Sequence, residues 1–239
     1  MNEVNEAVVL AGGLGSRLRT VVADVPKPMA PVAGRPFLTY LLDYLMSQGI
    51  RRVVLSVGYR HEAITAFFGK TYGTIEIVYS IEDEPLGTGG GIALALAKVE
   101  SSVVFVLNGD TFLKLDYRAM AGLANEDRDD FTLAVALREV DDTSRYGRAI
   151  LEGDYLLGFA ASGTAEPGLI NAGVYLMSAR IFGNFGYPAR FSFEKDFLER
   201  RASHIRPRVF RCNVPFIDIG IPDALRDAQF LLPEWTASL

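Results

Sequence analysis

The amino-terminal segment of the chain carries residue types that can grip phosphate groups. Three glycines, Gly12, Gly13 and Gly15, directly follow an apolar run typical of a strand buried on both faces. Because glycine has no Cβ atom, an anion can approach the main-chain N–H groups of such a turn closely. Arg17 can donate hydrogen bonds to two phosphate oxygens at once. Lys27 lies between two prolines, which fix the backbone beside it. The segment predicts a phosphate-binding loop; the alternative is a glycine turn with solvated basic side chains.

The spacing of these glycines differs from two common phosphate-binding motifs. The dinucleotide-binding fingerprint needs a glycine three positions after Gly15, where this chain has Leu18. The P-loop needs a glycine, a lysine and a serine or threonine in succession, and no such run follows. A nicotinamide-dependent oxidoreductase and a P-loop protein are therefore both disfavoured.

Two aspartates occupy positions suited to a divalent cation. Asp110 comes just after a run of apolar residues, which places it at the carboxyl end of a predicted central strand, where open α/β sheets bind ligands. Asp218 lies between apolar neighbours, and a buried acid needs a cation or another partner to stay charged. Mg²⁺ prefers one or two carboxylates together with phosphate oxygens and water. The pair predicts a magnesium site; the alternatives are a turn cap at Asp110 and an arginine partner or a helix cap at Asp218.

A second glycine-rich segment, residues 82–91, combines acids, a proline and a threonine with its glycines. Main-chain amides and carbonyls of such a loop can reach the edges of a flat base, and Thr88 or an acidic side chain adds directional hydrogen bonds. Glycine-rich turns without any function are common. The segment therefore indicates a base-binding loop only in combination with the other signals.

Composition limits the classes of partner. The 239 residues, 49% of them hydrophobic, suffice for one large globular domain over residues 1–239. With 24 basic and 29 acidic residues, the net charge of −5 provides no basic field for a nucleic acid or an anionic membrane. Cys212 is the only cysteine, which excludes an internal disulfide. Without a signal peptide or a membrane-spanning apolar run, we expect a cytoplasmic protein.

Strand-like and helix-like runs alternate over the first half of the chain, which predicts a parallel sheet covered by helices. The predicted strands there are 7–10, 52–57, 75–79 and 103–107, and the predicted helices are 37–48, 61–68, 91–98 and 116–126. Later strand signals are shorter, at 149–152, 156–159 and 171–177, and indicate an antiparallel insertion or lid. A helix at 193–201 and a last helix opened by Pro222 are also predicted.

The sequence gives little support for other kinds of catalytic site. His61 and His204 are the only histidines, each in polar surroundings, which disfavours a metal pair or a catalytic triad. Lys195 lies among apolar residues at helical spacing, so its simplest interpretation is a solvent-facing side chain of an amphipathic helix.

Six motifs, in order along nearly the whole chain, resemble those of the sugar-1-phosphate nucleotidylyltransferase family. They are Leu-Ala-Gly-Gly-x-Gly-x-Arg-Leu at 10–18, Pro-Lys-Pro-Met at 26–29, Glu-Pro-Leu-Gly-Thr-Gly at 84–89, Asn-Gly-Asp at 108–110, Asn-Ala-Gly-Val-Tyr at 171–175 and Ile-Asp-Ile-Gly at 217–220. The resemblance implies an α/β fold: a Rossmann-like, mostly parallel sheet flanked by helices, with a small antiparallel sugar-binding lid. It also implies an enzyme that joins a nucleoside triphosphate to a sugar 1-phosphate and releases pyrophosphate. Within the family, the chain looks most like guanylyltransferases that act on a manno-heptose 1-phosphate, which implies GTP.

Carried over position by position, the resemblance implies roles for individual residues. Catalysis would fall to Arg17, Lys27 and Asp110, and Mg²⁺ would be held by Asp110 and Asp218. Nucleotide contacts would come from Leu10, Ala11, Gly12, Gly13, Gly15, Glu84, Pro85, Gly87, Thr88 and Asn108. Sugar-phosphate contacts would come from Gly147, Asn171, Gly173 and Lys195.

One departure from the family pattern concerns the sugar phosphate. The family's frequent Phe-x-Glu-Lys segment is Phe-Ala-Ala-Ser at 159–162 here, so the lysine and the acid that usually meet the sugar phosphate are missing. We expect Lys195, Arg148 or Arg145 to balance that charge. Two alternatives stay open: the same chemistry with another base or sugar, as in uridylyl-, cytidylyl- or mannose-specific relatives, and a sugar-nucleotide sensor without catalysis.

The segment 182–187 is a candidate interface between copies of the chain. Phe182, Phe185 and Tyr187 place three aromatic rings there, and exposed apolar patches are typical of contact surfaces. A homodimer is the partner that these residues would serve.

Overall fold

The computed structural model describes residues 4–13, 25–127, 131–163, 165–183, 186–237 and 239. The strands, numbered along the chain, are β1 (Glu6–Leu10), β2 (Pro31–Val32), β3 (Arg35–Pro36), β4 (Arg52–Val57), β5 (Thr71–Tyr72), β6 (Ile75–Ile81), β7 (Val103–Asn108), β8 (Thr111–Leu113), β9 (Leu133–Val140), β10 (Ala149–Glu152), β11 (Tyr155–Phe159), β12 (Gly168–Ser178), β13 (Arg208–Cys212) and β14 (Phe216–Asp218). The α-helices are α1 (Phe37–Ser47), α2 (His61–Phe68), α3 (Gly87–Leu96), α4 (Tyr117–Asp127), α5 (Glu199–Ile205) and α6 (Pro222–Thr236). A 3₁₀ turn covers Lys27–Met29, and a π-helix covers Phe193–Leu198.

Ten strands form the central sheet in the order β10-β11-β13-β9-β12-β7-β1-β4-β6-β5. Its centre, β7-β1-β4-β6, is parallel, so the carboxyl ends of these strands meet at one edge. Strand β12 runs antiparallel to both of its neighbours. The α/β architecture predicted from the alternating signals is confirmed, with a parallel centre inside a mixed sheet.

Helices cover both faces of the sheet, because alternate residues of the central strands point in opposite directions. In β1, Ala7 and Val9 belong to a core under α1, α2 and α6, whereas Val8 belongs to a second core under α3, the π-helix and α5. All three of these strand residues are fully buried. Among the described residues, no helix combines the length and the apolar character needed to cross a bilayer.

Most predicted elements are confirmed, but α3 begins at Gly87 and not at Gly91. Glycine is a poor helix former, which made an early start look unfavourable. Packing explains the difference: the amides of Gly89 and Gly90 donate to the carbonyl oxygen of Phe191 at 3.0 and 3.4 Å. A Cβ atom on Gly87, whose φ is +73°, would lie 2.6 Å from that same oxygen.

The predicted antiparallel segment exists as the hairpin β10–β11, but it is not a separate layer. Strand β11 pairs with β13 through Tyr155 and Arg208, so the hairpin extends the central sheet. The pairing with β13 was not predicted, because sequence patterning does not reveal which distant strand a hairpin joins.

The segment predicted as a contact surface, 182–187, is half-buried at the two aromatic residues that the structure describes. Phe182 and Tyr187 pack against the second core, where their rings contact Phe191 and Phe197. Phe185 lies outside the described residues. Phe182 and Tyr187 thus pack beside the π-helix while part of each ring stays accessible, and the homodimer remains a prediction.

A two-stranded pair, β8 with β14, links distant parts of the chain beside the sheet edge. Thr111 faces Asp218 in the antiparallel register, and the amide of Ile219 donates to the carbonyl oxygen of Asp110 at 3.0 Å. This pairing places Asp110 and Asp218 next to each other.

Candidate active site

A cleft of about 360 Å³ opens at the carboxyl ends of the parallel strands. Its walls come from the loops after β1, β6 and β7 and from the 3₁₀ turn. The lining residues are Leu10, Gly12, Gly13, Lys27, Pro28, Glu82, Pro85, Gly87, Thr88, Asn108 and Asp110. Most of the predicted nucleotide residues that the structure describes are thus brought together in one place.

Close approach of two backbone segments shapes the floor of this cleft. The amide of Gly109 donates to the carbonyl oxygen of Leu10 at 2.9 Å, and a Cβ atom on Gly109 would lie 2.5 Å from that oxygen. Ala11 is anchored on the other side by a 2.7 Å hydrogen bond from its amide to the carbonyl of Ser56. Glycine at position 109 therefore lets Asp110 stand directly beside the glycine loop.

Lys27 joins the two predicted metal ligands. Its ammonium group pairs with Asp110, and its Nζ lies 3.7 Å from Asp218 Oδ1. The lysine side chain is only 16% exposed, and Pro26 and Pro28 constrain the turn that carries it. The sequence prediction that Lys27, Asp110 and Asp218 converge agrees with this geometry.

Arg145 completes the charged cluster. Its Nη2 donates to Asp218 Oδ2 at 2.7 Å, and the other oxygen of Asp218 accepts a 2.7 Å hydrogen bond from the amide of Gly220. Two cations, Lys27 and Arg145, thus balance two carboxylates, Asp110 and Asp218. Burial together with the charge of Asp218 raises the pKa of the neighbouring Tyr146 above its ordinary value.

Glu82, and not the predicted Glu84, presents its carboxylate in the cleft. Glu82 Oε1 accepts from the Ser56 hydroxyl at 3.2 Å, and Oε2 accepts from the amide of Leu86 at 3.0 Å. Glu84 is exposed and does not line the cleft. Its neighbour Pro85 does line it. The two acids were equivalent in the sequence, since neither position has a pattern that fixes its direction.

Thr88 ties the cleft to the π-helix. Its hydroxyl donates to Glu194 Oε2 at 2.6 Å and accepts from the amide of Phe193 at 2.9 Å. Both hydrogen-bonding directions of the hydroxyl are therefore used inside the protein. Thr88 lines the cleft as predicted, and its two hydrogen bonds hold this part of the cleft wall against the π-helix.

A second cleft, also about 360 Å³, lies between the β10–β11 hairpin and the π-helix. Its lining residues are Tyr146, Gly147, Phe159, Ala160, Ala161, Ser162, Asn171, Glu194 and Glu199. It includes Gly147 and Asn171, two of the four predicted sugar-phosphate residues. A Cβ atom on Gly147 would lie 2.8 Å from the carbonyl oxygen of Ala160, which explains the glycine there.

The other two predicted sugar-phosphate residues are placed differently. Gly173 has a φ of +70°, lies at the irregularity in β12, and would put a Cβ atom 2.6 Å from Asn108 Nδ2. Lys195 is exposed and lines neither cleft. Arg148 is also exposed and lies 3.7 Å from Glu166. Of the three cations predicted to balance the sugar phosphate, Arg145 is the one beside the acid pair.

Two predicted residues, Gly15 and Arg17, lie outside the described residues. Pro28, Glu82 and Glu194 line the clefts but were not assigned roles from the sequence. Glu194 precedes Lys195 in the segment Phe-Ser-Phe-Glu-Lys-Asp at 191–196, whose helical spacing gives no reason to prefer the acid over the lysine. In the part of the chain that the structure describes, no group of three or more His, Cys, Asp or Glu residues forms a metal cluster.

Comparison with known proteins reveals similarity along almost the whole chain. The family model described as nucleotidyl transferase matches residues 6–234. A D-glycero-alpha-D-manno-heptose 1-phosphate guanylyltransferase from Aneurinibacillus thermoaerophilus is 45% identical, over 94% of this chain and 96% of that protein. The protein of the same name from Campylobacter jejuni is 40% identical, over 91% of this chain and 96% of that protein. The crystal structure of HddC from Yersinia pseudotuberculosis complexed with GMP-PN is 37% identical, with a TM-score of 0.82, and the match covers 95% of this chain and 98% of that one.

Proposed function

Because this chain belongs to the nucleotidyl transferase family, we propose that it transfers the guanylyl group of GTP to a manno-heptose 1-phosphate and releases pyrophosphate. The names of the two relatives that match almost end to end support the heptose phosphate and the guanylyl group. The observation that most directly supports guanylyl transfer is that Lys27, Asp110 and Asp218 converge at the edge of a cleft lined by glycines.

In this reaction the protein has to align the two substrates and neutralise their negative charge. The phosphate oxygen of a sugar 1-phosphate is already anionic at neutral pH, so no covalent protein intermediate is needed. The barrier arises because two anions must approach each other in line. Lys27 and Arg145 lie where they can pair with phosphate oxygens, and each is fixed by a carboxylate before the substrates bind.

Asp110 and Asp218 fit a divalent cation, which enzymes of this family generally use. Their carboxylates converge on the Lys27 ammonium group, so their oxygens already surround a centre of positive charge. Carboxylate oxygens supplemented by phosphate oxygens are the ligands that Mg²⁺ prefers. We propose Mg²⁺ as the ion; when bound, it would supply positive charge to the α-phosphate and the departing pyrophosphate.

Glu82 supports guanine as the base. Guanine presents N1–H and the N2 amino group as neighbouring donors, and a carboxylate has lone pairs to accept both. Adenine offers an acceptor at N1, which a carboxylate opposes. Glu82 is held in place by Ser56 and Leu86, so little conformational freedom is lost when a base binds.

A substrate matrix tests the proposal directly. The purified protein is incubated with each of four nucleoside triphosphates against a panel of sugar 1-phosphates, and pyrophosphate release is measured. We expect the fastest release with GTP and a manno-heptose 1-phosphate, and none without Mg²⁺. A strong preference for UTP or CTP would overturn the guanylyl assignment. Nucleotide binding without any pyrophosphate release would point instead to a non-catalytic sugar-nucleotide sensor.

A further inference from the structure

The second cleft has the chemistry of a site for sugar hydroxyl groups and not for a phosphate. Two carboxylates, Glu194 and Glu199, and two aromatic rings, Tyr146 and Phe159, line it, and no lysine or arginine is among its lining residues. A phosphate would need cations to offset its charge. Sugar hydroxyls donate to carboxylates, and the faces of sugar rings pack on aromatic side chains. The charge distribution thus separates a hydroxyl-binding cleft from the cationic cluster at Lys27 and Arg145.

Glu194 is unusual because neutral hydroxyl groups hold its carboxylate. Thr88 and Ser192 both donate to Oε2, at 2.6 and 3.2 Å, and burial together with the charge of Glu194 raises the pKa of the Tyr175 hydroxyl. Among the described contacts no cation lies within 4.0 Å of this carboxylate. A carboxylate offers about four acceptor positions, so two internal donors leave capacity for a substrate hydroxyl. The arrangement orients the acid without neutralising its charge.

A buried tyrosine connects Asn171 with the surroundings of this acid. Tyr175 is completely buried, and burial raises its pKa well above the ordinary value, so its hydroxyl keeps its proton. Asn171 Nδ2 donates to the Tyr175 oxygen at 2.8 Å, while Asn171 Oδ1 accepts from the amide of Gly173 at 3.0 Å. The charge of Glu194 contributes to this rise in the pKa of Tyr175, so the two side chains lie close together. Asn171 and Glu194 both line the cleft, and Tyr175 holds the side chain of Asn171.

The π-helix gives the acid its direction. Ser192 caps this helix, its hydroxyl accepting from the amide of Lys195 at 3.2 Å, and Glu194 lies in the first turn. Segments of π-helix often occur at functional sites. Glu194 faces the cleft while Lys195 is exposed, so the structure selects the acid where the sequence indicated the lysine.

We propose that Glu194 determines sugar specificity by accepting hydrogen bonds from ring hydroxyls of the sugar 1-phosphate. The proposal rests on the function proposed above. Glu194 supplies an acid where the chain lacks the Phe-x-Glu-Lys acid of its family, with Phe159 and its neighbours forming the opposite wall. Thr88 lines the nucleotide cleft and donates to Glu194, so one hydroxyl fixes the sugar cleft relative to the nucleotide.

The test compares Glu194→Gln with wild type in steady-state kinetics. Glutamine keeps the size of the side chain but replaces one acceptor oxygen with a donor. We expect KM for the sugar 1-phosphate to rise about 10- to 100-fold, and KM for GTP to change by less than about threefold. Glu234→Gln on α6, the same substitution at an exposed position, is the control and should match wild type.

Deoxy analogues of the sugar 1-phosphate provide a second measurement. A purely structural role of Glu194 would leave discrimination against these analogues unchanged. Wild type should discriminate against sugar 1-phosphates that lack the contacted hydroxyl, and Glu194→Gln should lose most of that discrimination. If Glu194→Gln fails to fold, Glu194→Asp replaces it, with the same loss expected because the shorter acid cannot reach. An unchanged sugar-phosphate KM in a folded variant overturns the proposal while leaving the function intact. Absence of pyrophosphate release by wild type instead defeats the proposed function itself.

Discussion

The ammonium nitrogen of Lys27 lies 3.7 Å from a carboxylate oxygen of Asp218, and the same ammonium group pairs with Asp110. One residue comes from a 3₁₀ turn, one from the end of β14 and one from the turn between β7 and β8. Three separate segments therefore meet at a single cation. This meeting point lies beside the nucleotide cleft, and it explains why charge reversal or removal at any of the three positions should affect turnover.

Neutralising the acid pair should impair the chemical step most. We expect Asp110→Asn and Asp218→Asn each to lower kcat by about two orders of magnitude or more. The reason is that the phosphates lose the positive charge that these two carboxylates hold beside them. Pyrophosphate release at saturating substrates, measured over a range of Mg²⁺ concentrations, checks this. Asp223→Asn, at an exposed acid in the first turn of α6, should stay within about twofold of wild type. Near-normal kcat at saturating Mg²⁺ would remove the substituted acid from the site.

Removing the guanidinium group beside Asp218 should weaken sugar-phosphate binding. We expect Arg145→Ala to raise KM for the sugar 1-phosphate about tenfold or more, because the guanidinium group can no longer donate a charged hydrogen bond to the phosphate. Arg148→Ala should have a smaller effect, because its ion-pair partner is Glu166 and not a member of the acid pair. Initial rates over a series of sugar-phosphate concentrations give both constants, with Arg226→Ala as an exposed control. A larger effect from Arg148 or Lys195 than from Arg145 would contradict this assignment.

Base selection should depend on Glu82 and not on Glu84. We expect Glu82→Gln to reduce the ratio of kcat/KM for GTP over ATP about 10- to 100-fold, because an amide cannot accept both guanine donors. Glu84→Gln should change that ratio much less, since Glu84 is exposed outside the cleft. Competition between the two nucleotides in one reaction measures the ratio. The opposite ranking of the two variants would favour the sequence-based assignment of Glu84.

A methyl group at position 109 should disturb the floor of the site. Its Cβ atom would lie 2.5 Å from the carbonyl oxygen of Leu10, so we expect Gly109→Ala to lower the free energy of unfolding by about 1–3 kcal/mol. Gly122→Ala, in α4 with no atom within 4 Å of the new Cβ, should be neutral or stabilising by up to about 1 kcal/mol. Urea unfolding curves for both variants provide the comparison. Equal midpoints would show that the loop after β1 can move away.

The single cysteine should make stability fall at alkaline pH. Burial raises the pKa of Cys212 from 9.0 to about 11. Between these values the unfolded chain loses the thiol proton while the folded chain keeps it, so the free energy of unfolding decreases as pH rises through this window. Urea unfolding at pH 8 and at about pH 10.5 should reveal a smaller decrease for Cys212→Ala than for wild type. The same decrease in both proteins would assign the effect to other groups, such as Tyr44, whose pKa burial raises to about 12.

The sequence predicted the helices α1 and α2 and the strands β1, β4 and β7 within a residue or so. Their patterns are local: apolar residues recur with the period of each element, and glycines or prolines mark the ends. Helix α3 was placed too late, because its glycines oppose a helix locally and favour one only through their contacts with Phe191. The pairing of the hairpin β10–β11 with β13 was not predicted for a similar reason, since it is long-range.

For the site, the residue types follow from local sequence: the glycine loop, the proline-flanked lysine, the two aspartates and the likeness to a family of transferases. Which of these side chains meet depends on how distant segments pack. This packing joins Arg145 to Asp218, turns Glu82 and not Glu84 into the cleft, and directs Glu194 inward while leaving Lys195 exposed. The physical reason is that local sequence sets backbone conformation, whereas the direction and neighbours of a side chain depend on strand order and helix packing between segments far apart in the chain.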